Sequence, residues 1–402
     1  MENNFYLQNS QNMIKQRQIF NIIESFMDSP EAIIITGMHR TGKTTVLNYL
    51  FERISTENKV FLRLENPINR RYFEADNYEE IKSVFELLGL NLSRPSFVFL
   101  DDIQFTKNLP SVASYFIDRY KVKFLMTCSG NFYANGSDKH LLPGRKYIFE
   151  LSPLNFREFL LFKDTKLAIP EIGNSISKNQ YDTIMPYYRE YIDFGGFPGV
   201  LLKDSSAEKK RALEEIFSSF YQLVAIQLGD RRHALVIRDL MLLLMNKIGT
   251  RLDVQKMSQE LNISRPTLHN YLSFLQATYY ISLIKPFSRK RSNEIRKMPK
   301  VYLCDSGLAN LFASDIGEKC LFENSVYQSL KGYGRINYYY RKSGVNIDFI
   351  IDGKKAYDIR LNPKRLGYKK MKSLAGELGC IDFNMISKNH STLDNVIYGF
   401  ML

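Results

Sequence analysis

The chain has 402 residues, 45% of them hydrophobic and 24% charged, with a formal net charge of +13. That length exceeds one ordinary core, so two to four domains are expected, and the composition excludes a disordered or fibrous chain. A basic surplus draws polyanions such as nucleic acid, nucleotides or anionic lipid, although a basic background with no such partner gives the same total.

The first twelve residues are polar and carry no signal-peptide core, and no apolar run approaches a membrane span, so a soluble cytoplasmic protein is expected. Residues 14–26 read as an amphipathic helix, and the β-branched run 32–36 as a first strand ending at a glycine. Residues 59–64, 96–100, 123–127 and 146–151 read as four further strands with helical patterns between most of them. Such alternation predicts an α/β fold whose parallel sheet is covered on both faces. From 153 to 229 the pattern is helical, punctuated by Gly195, Gly196 and Pro198; residues 234–283 form a small helical unit ending in a strand, and from 299 helix and strand mix again. The cysteines Cys128, Cys304, Cys320 and Cys380 are scattered without CxxC spacing, which supports neither a disulfide framework nor a zinc site.

Gly37, Met38, His39, Arg40, Thr41, Gly42, Lys43 and Thr44 satisfy the phosphate-loop pattern G-x-x-x-x-G-K-S/T, between an apolar strand and a helical run beginning at Thr45. The two glycines let the backbone turn tightly and aim its N–H groups at phosphate oxygens. The following helix adds the positive end of its dipole, Lys43 reaches the β- and γ-phosphates, and Thr44 offers its hydroxyl to magnesium. ATP or ADP with magnesium is therefore the expected ligand, and Thr45 completes the binding segment.

Phe97, Val98, Phe99 and Leu100 form an apolar run ending in Asp101 and Asp102, the form of a Walker B strand. Asp101 is the candidate magnesium ligand and Asp102 the residue that polarises the attacking water, at one methylene less reach than a glutamate. A helix N-cap is the alternative role for this acidic pair, and compatible with the first. The next strand ends in Ser129, Gly130 and Asn131, and strand carboxyl ends carry the ligand site in a parallel sheet, so Ser129 or Asn131 is a candidate for the γ-phosphate or its water.

The run from Leu141 through Pro143, Gly144, Arg145 and Leu151 to Asn155, Phe156, Glu158 and Phe159 resembles a signature of a prokaryotic AAA+ ATPase family, and Gly195-Gly196-Phe197-Pro198 is similar to that family's glycine–proline turn. The resemblance covers nearly the whole chain. It implies an AAA+ core with strand order 5-1-4-3-2 over residues 1–152, a helical lid over 153–230, a winged helix over 231–303 and a restriction-endonuclease-like α/β domain over 304–402. It further implies an ATP hydrolase acting on the β–γ phosphoanhydride, with Arg145 as a γ-phosphate sensor or arginine finger, or simply a surface arginine.

Residues 253–261, a turn at 262–264 and a helix in which Leu268, Tyr271, Leu272 and Leu275 recur at helical spacing read as helix–turn–helix. Thr267, His269, Asn270 and Ser273 fall on the opposite face. The basic residues Arg289, Lys290, Arg291, Arg296 and Lys297 then read as a wing, making residues 265–300 the candidate DNA contact; a packing or protein-contact role is the rival. In the last domain the resemblance to an endonuclease fold assigns Glu323, Asp348, Asp358 and Arg360 to the metal-binding acids and the lysine position. Three acids suit a metal, but arginine effectively never loses its proton and makes a poor base, so a degenerate, non-cleaving domain is expected. The resulting expectation is a slow ATPase working as a nucleotide-gated switch, with an ATP-driven nuclease or a switch on a protein partner as alternatives and a homo-oligomer left open.

Overall fold

The computed structural model describes residues 14–15, 17–74, 77–106, 108–130, 142–228, 231–288, 298–341, 343–393 and 396–402. The chain divides into two compact units, Met1–Leu151 and Ser152–Leu402.

The first unit is built on five strands, β1 Ala32–Thr36, β2 Lys59–Arg63, β3 Ser96–Asp101, β4 Val122–Cys128 and β5 Lys146–Glu150, in the order β2-β3-β4-β1-β5. All neighbouring pairs are parallel, with Ile33 opposite Leu125 and Val98 opposite Phe124. Side chains alternate between the faces of a strand, and here both faces are apolar. Ile33, Ile35, Phe99 and Leu125 pack with Val46, Leu47 and Leu50 of the helix Lys43–Arg53. Ala32, Ile34, Val98, Leu100, Phe124 and Met126 pack with Ile81 and Phe85 of the helix Tyr78–Leu87 and Val112 and Phe116 of the helix Leu109–Tyr120. Every residue of β1 and β4 is buried as a result. Because β1 lies between β4 and β5, neither its neighbour in sequence, the chain leaves β1 and β4 in different directions and opens a crevice at their carboxyl ends. Lys123 ties down the approach to β1: its ammonium donates to the carbonyls of Phe26, Ser29 and Glu31 at 2.8, 2.6 and 2.7 Å.

The second unit holds a seven-stranded sheet in the order β12-β11-β10-β9-β8-β6-β7. Its strands are β6 Ile281–Pro286, β7 Lys300–Leu303, β8 Ile336–Tyr340, β9 Asn346–Ile351, β10 Lys355–Arg360, β11 Asp382–Ser387 and β12 Val396–Tyr398. Strands on either side of the expected division at 303/304 share this sheet. β6 and β7 form an antiparallel hairpin, but β6 outruns β7 and pairs in parallel with β8, Lys285 lying opposite Asn337. An unpaired strand edge carries unsatisfied backbone groups; here the Lys285 carbonyl accepts from the Asn337 side-chain amide at 3.0 Å and the Phe287 N–H donates to Tyr338 at 2.6 Å. The segments 153–230, 231–303 and 304–402 accordingly belong to one compact unit. Among the described residues no helix is long and apolar enough to cross a membrane.

The Gly195–Gly196 turn has a partner that sequence reading did not single out. Asp305, fully buried, caps the helix Ser306–Phe312 by accepting from the N–H groups of Gly307 and Leu308 at 2.8 and 3.3 Å, while its other oxygen accepts from Gly196 at 2.7 Å. A Cβ at Gly195, where φ is +76°, would fall 1.9 Å from Asp305 Oδ1, so the turn requires glycine. Burial pushes the Asp305 carboxyl up to about 6, against the pull of the three N–H donors. Asp305→Ala is expected to destabilise the protein by about 3 kcal/mol, since buried donors lose their acceptor, whereas Asp305→Asn keeps an oxygen there and loses less. Between pH 3.8 and about 6 the native aspartate binds its proton before the unfolded one, so its contribution to stability declines as pH rises across that window. Thermal unfolding against pH checks both points: equal midpoints for the Ala and Asn variants, or a slope retained in Asn, would contradict them.

Candidate functional site

The loop after β1 is shaped by its glycines. Gly37 has φ +150°, and a Cβ there would lie 2.2 Å from the Leu151 carbonyl oxygen; Gly42, at φ +97°, is the N-cap of the helix Lys43–Arg53. Between them Arg40 turns at φ 67° and is exposed, and the Met38 carbonyl accepts from Thr41 Oγ1 and Lys43 Nζ, both at 2.9 Å. Lys43 is 5% exposed, and burial pushes its ammonium down to about 8. Burial, then Lys43 and Arg40, push the His39 imidazole down to about 4, so it is neutral at pH 7. Thr45 is exposed in the first helical turn. A concave loop of N–H groups at a helix start, with a desolvated ammonium beside it, gains from a polyanion that restores the ammonium's preference for charge.

The two consecutive acids face different partners. Thr44 Oγ1 donates to Asp101, 2.9 Å from Oδ2 and 3.2 Å from Oδ1. Asp102 takes the left-handed conformation, φ 60° and ψ 56°, which carries its side chain away from that of Asp101. Its Oδ1 accepts from Ser129 Oγ at 3.1 Å and Gln104 Nε2 at 2.9 Å. Thr127, on β4, keeps the two apart: its hydroxyl donates to Asp101 Oδ1 at 2.5 Å and accepts from the Asp102 N–H at 2.9 Å. Burial raises the Asp101 carboxyl, while the Thr127 and Thr44 hydroxyls oppose the rise. A hydroxyl and a carboxylate converging beside a phosphate loop are the hard oxygen donors magnesium takes, together with substrate phosphates and water. Thr44 and Asp101 would hold the ion, which when bound neutralises charge on the β- and γ-phosphates.

Three of the expected site elements thus meet at the ends of β1, β3 and β4, where Thr36 Oγ1 also donates to the Gly130 carbonyl at 3.1 Å. Asn131, Leu141 and the wing residues Arg289, Lys290, Arg291, Ser292, Arg296 and Lys297 lie outside the described residues. Arg145 precedes β5; its carbonyl accepts from the N–H of Ala32 at the start of β1, and its Nε pairs with Asp118 at 2.8 Å. It sits at the amino ends of strands whose carboxyl ends form the site, about 16 Å away at the usual rise per residue. Sequence reading missed Thr127, Gln104 and Arg17. The buried Arg17 donates to the Thr41 carbonyl at 3.2 Å, inside the phosphate loop. A threonine within an apolar strand and an arginine at the edge of an apolar helical stripe were the available signals.

In the second unit the helices Val254–Glu260 and Arg265–Ala277 flank a turn at Asn262, φ 52°, and are capped by Asp253 and Ser264. Leu268, Tyr271, Leu272 and Leu275 are buried, while His269, Asn270 and Ser273 are exposed. The acids Glu323, Asp348 and Asp358 are all buried. Among the described residues no group of three or more Asp, Glu, His or Cys side chains is placed to hold an ion. Cations already pair them. Lys300 Nζ, from β7, lies 3.0 Å from Glu323 Oε1 and 3.5 Å from Asp348 Oδ1, and Arg360 binds both oxygens of Asp358 at 2.8 and 3.1 Å. Tyr302 adds its hydroxyl to Glu323 at 2.6 Å. Burial alone would lower the Lys300 ammonium, but the two carboxylates outweigh it and hold it above the ordinary lysine value, a poor state for a general base.

Residues 29–160 match the family described as an AAA domain, and residues 185–318 one described as a domain of unknown function, DUF8612. The first match supports an AAA+ nucleotide-binding core. An uncharacterized protein of Methanocaldococcus jannaschii is 27% identical over 347 residues, 80% of this chain and 72% of that one. Another, of Haemophilus influenzae, is 24% identical over 315 residues, covering 74% and 73% of the two chains. Among solved structures, the Aeropyrum pernix Orc1 protein in complex with DNA is similar over 72% of this chain and 89% of its own, at 12% identity and a TM-score of 0.35. Cdc6p from Pyrobaculum aerophilum is similar over 72% and 92%, at 14% identity and a TM-score of 0.30.

Proposed function

We propose that this protein binds magnesium–ATP on Gly37–Thr44 and hydrolyses it slowly, using nucleotide state as a switch. The observation that carries the reading is the Thr44 hydroxyl facing the Asp101 carboxylate at 2.9 Å beside the phosphate loop. The two groups are 57 residues apart in sequence, and together they would offer oxygen donors to a metal held by the β- and γ-phosphates. In hydrolysis a water oxygen bonds to the γ-phosphorus, the bond from that phosphorus to the bridging oxygen breaks, and Asp102 takes the water's proton. Lys43 and the loop N–H groups hold the phosphates, and the shorter reach of Asp102 relative to glutamate favours a low rate.

The output is a second matter. The exposed His269, Asn270 and Ser273 on the second helix of a helix–turn–helix favour nucleic acid over a purely protein partner. ATP turnover measured with and without DNA or RNA, for wild type and Lys43→Ala, tests both points. Slow wild-type turnover is expected, with Lys43→Ala losing at least tenfold in affinity through a missing charge-assisted contact to the phosphates. Stimulation by DNA or RNA supports the nucleic-acid output. A folded wild type giving no heat with magnesium and adenine nucleotides in calorimetry would overturn the proposal.

A further inference from the structure

A short helical turn, Ile103–Phe105, leaves β3 directly after Asp102 and is anchored by Ile103, which is fully buried. Gln104 projects from it and uses both ends of its amide. Nε2 donates to Asp102 Oδ1 at 2.9 Å, and Oε1 accepts from the Ser129 N–H at 3.2 Å. Ser129 Oγ donates to the same Asp102 oxygen at 3.1 Å and closes a ring of three residues. The amide has one orientation here, because a flip would set oxygen against carboxylate and NH2 against N–H. In the described structure both side-chain donors reach Oδ1.

We infer that Gln104 is a positioning residue for hydrolysis: with Ser129 it fixes Oδ1 of Asp102 and leaves Oδ2 to take the proton of the attacking water. The inference rests on the ATPase reading above. An aspartate has one methylene less than a glutamate with which to find the water, so the direction of its carboxylate must be set from outside. Gln104 does this from the turn after β3 and Ser129 from the residue after β4, which makes the angle of the base depend on how the ends of these two strands sit. The proton leaves water as the oxygen–phosphorus bond forms, rests on Oδ2 and passes to solvent after ADP and phosphate separate.

The test is Gln104→Met, which keeps bulk and removes both hydrogen bonds. Its kcat is expected to fall about tenfold, as misaligned acid–base groups do, with the ATP Kd within about twofold of wild type. A purely structural residue would lower rate and affinity together. Wild-type kcat in Gln104→Met, or losses of rate and affinity in proportion, would each overturn the assignment. A wild type that binds ATP without turning it over would instead fail the hydrolysis reading and take this inference with it, a result visible before any variant is made.

Discussion

Gly37→Ala is expected to abolish measurable magnesium–ATP binding, whereas Gly42→Ala only weakens it. The two glycines stand in the same motif but answer to different physics. A Cβ on Gly37 would come within 2.2 Å of the Leu151 carbonyl oxygen, and Leu151 in turn donates from its N–H to Thr36 at 2.7 Å, so neither backbone can give way without breaking the end of the β1–β5 ladder. The loop must move instead, and its N–H groups lose their common focus. Nothing lies within 4 Å of a Cβ on Gly42, so that substitution meets only the cost of a left-handed conformation, about 1–2 kcal/mol or roughly tenfold in affinity. Calorimetric titration of both variants, with circular dichroism showing that each is folded, decides the matter. Equal losses for the two, or near-native affinity in Gly37→Ala, would contradict the geometry.

Lys300→Met is expected to lower thermal stability by about 3–5 kcal/mol, the usual result of removing one partner from a buried ion pair. For a unit of this size that corresponds to a fall of about 10 °C in Tm. The variant leaves Glu323 and Asp348 buried without the ammonium that lies 3.0 and 3.5 Å from them. Because the folded ammonium is held above its ordinary value, its contribution is complete below the unfolded lysine pKa of 10.5 and is lost only as pH rises through the higher folded value. Adding Glu323→Gln should recover part of the loss, since it removes one uncompensated charge and keeps the shape. A Lys300→Met protein as stable as wild type, or a double variant worse than the sum of its parts, would show that the pair is not what holds β7 to the helix Glu318–Leu330.

How legible this protein was in its sequence differed sharply between its halves. β1, β3 and β4 were readable because each is a short apolar run almost wholly buried, and such runs carry their own signature; β2 and β5, at the edges of the sheet, are buried only in part. The loop after β1 was readable as a phosphate-loop pattern because that pattern is local: Gly37, Gly42, Lys43 and Thr44 fall within one turn and the start of one helix. Asp101 and Asp102 could be assigned as a pair, but not to their separate directions, because the left-handed turn at Asp102 and the Thr127 hydroxyl between them arise only when β3 and β4 lie side by side. That Arg145 lies at the amino ends of β1 and β5 was not legible, since position along a strand has no mark in composition.

By itself the sequence determined the class of the first unit, the glycine-rich turn after β1 and the helical faces around Leu268 and Leu275, all of which follow from spacing within a dozen or so residues. Only the tertiary structure decided that β6 and β7 join the last sheet, that Lys300 answers Glu323 and Asp348, and that Asp305 caps a helix and a glycine turn at once. Those facts come from pairing across 23 to 109 residues, where the need to satisfy a buried charge or a free strand edge selects a partner that local pattern never names.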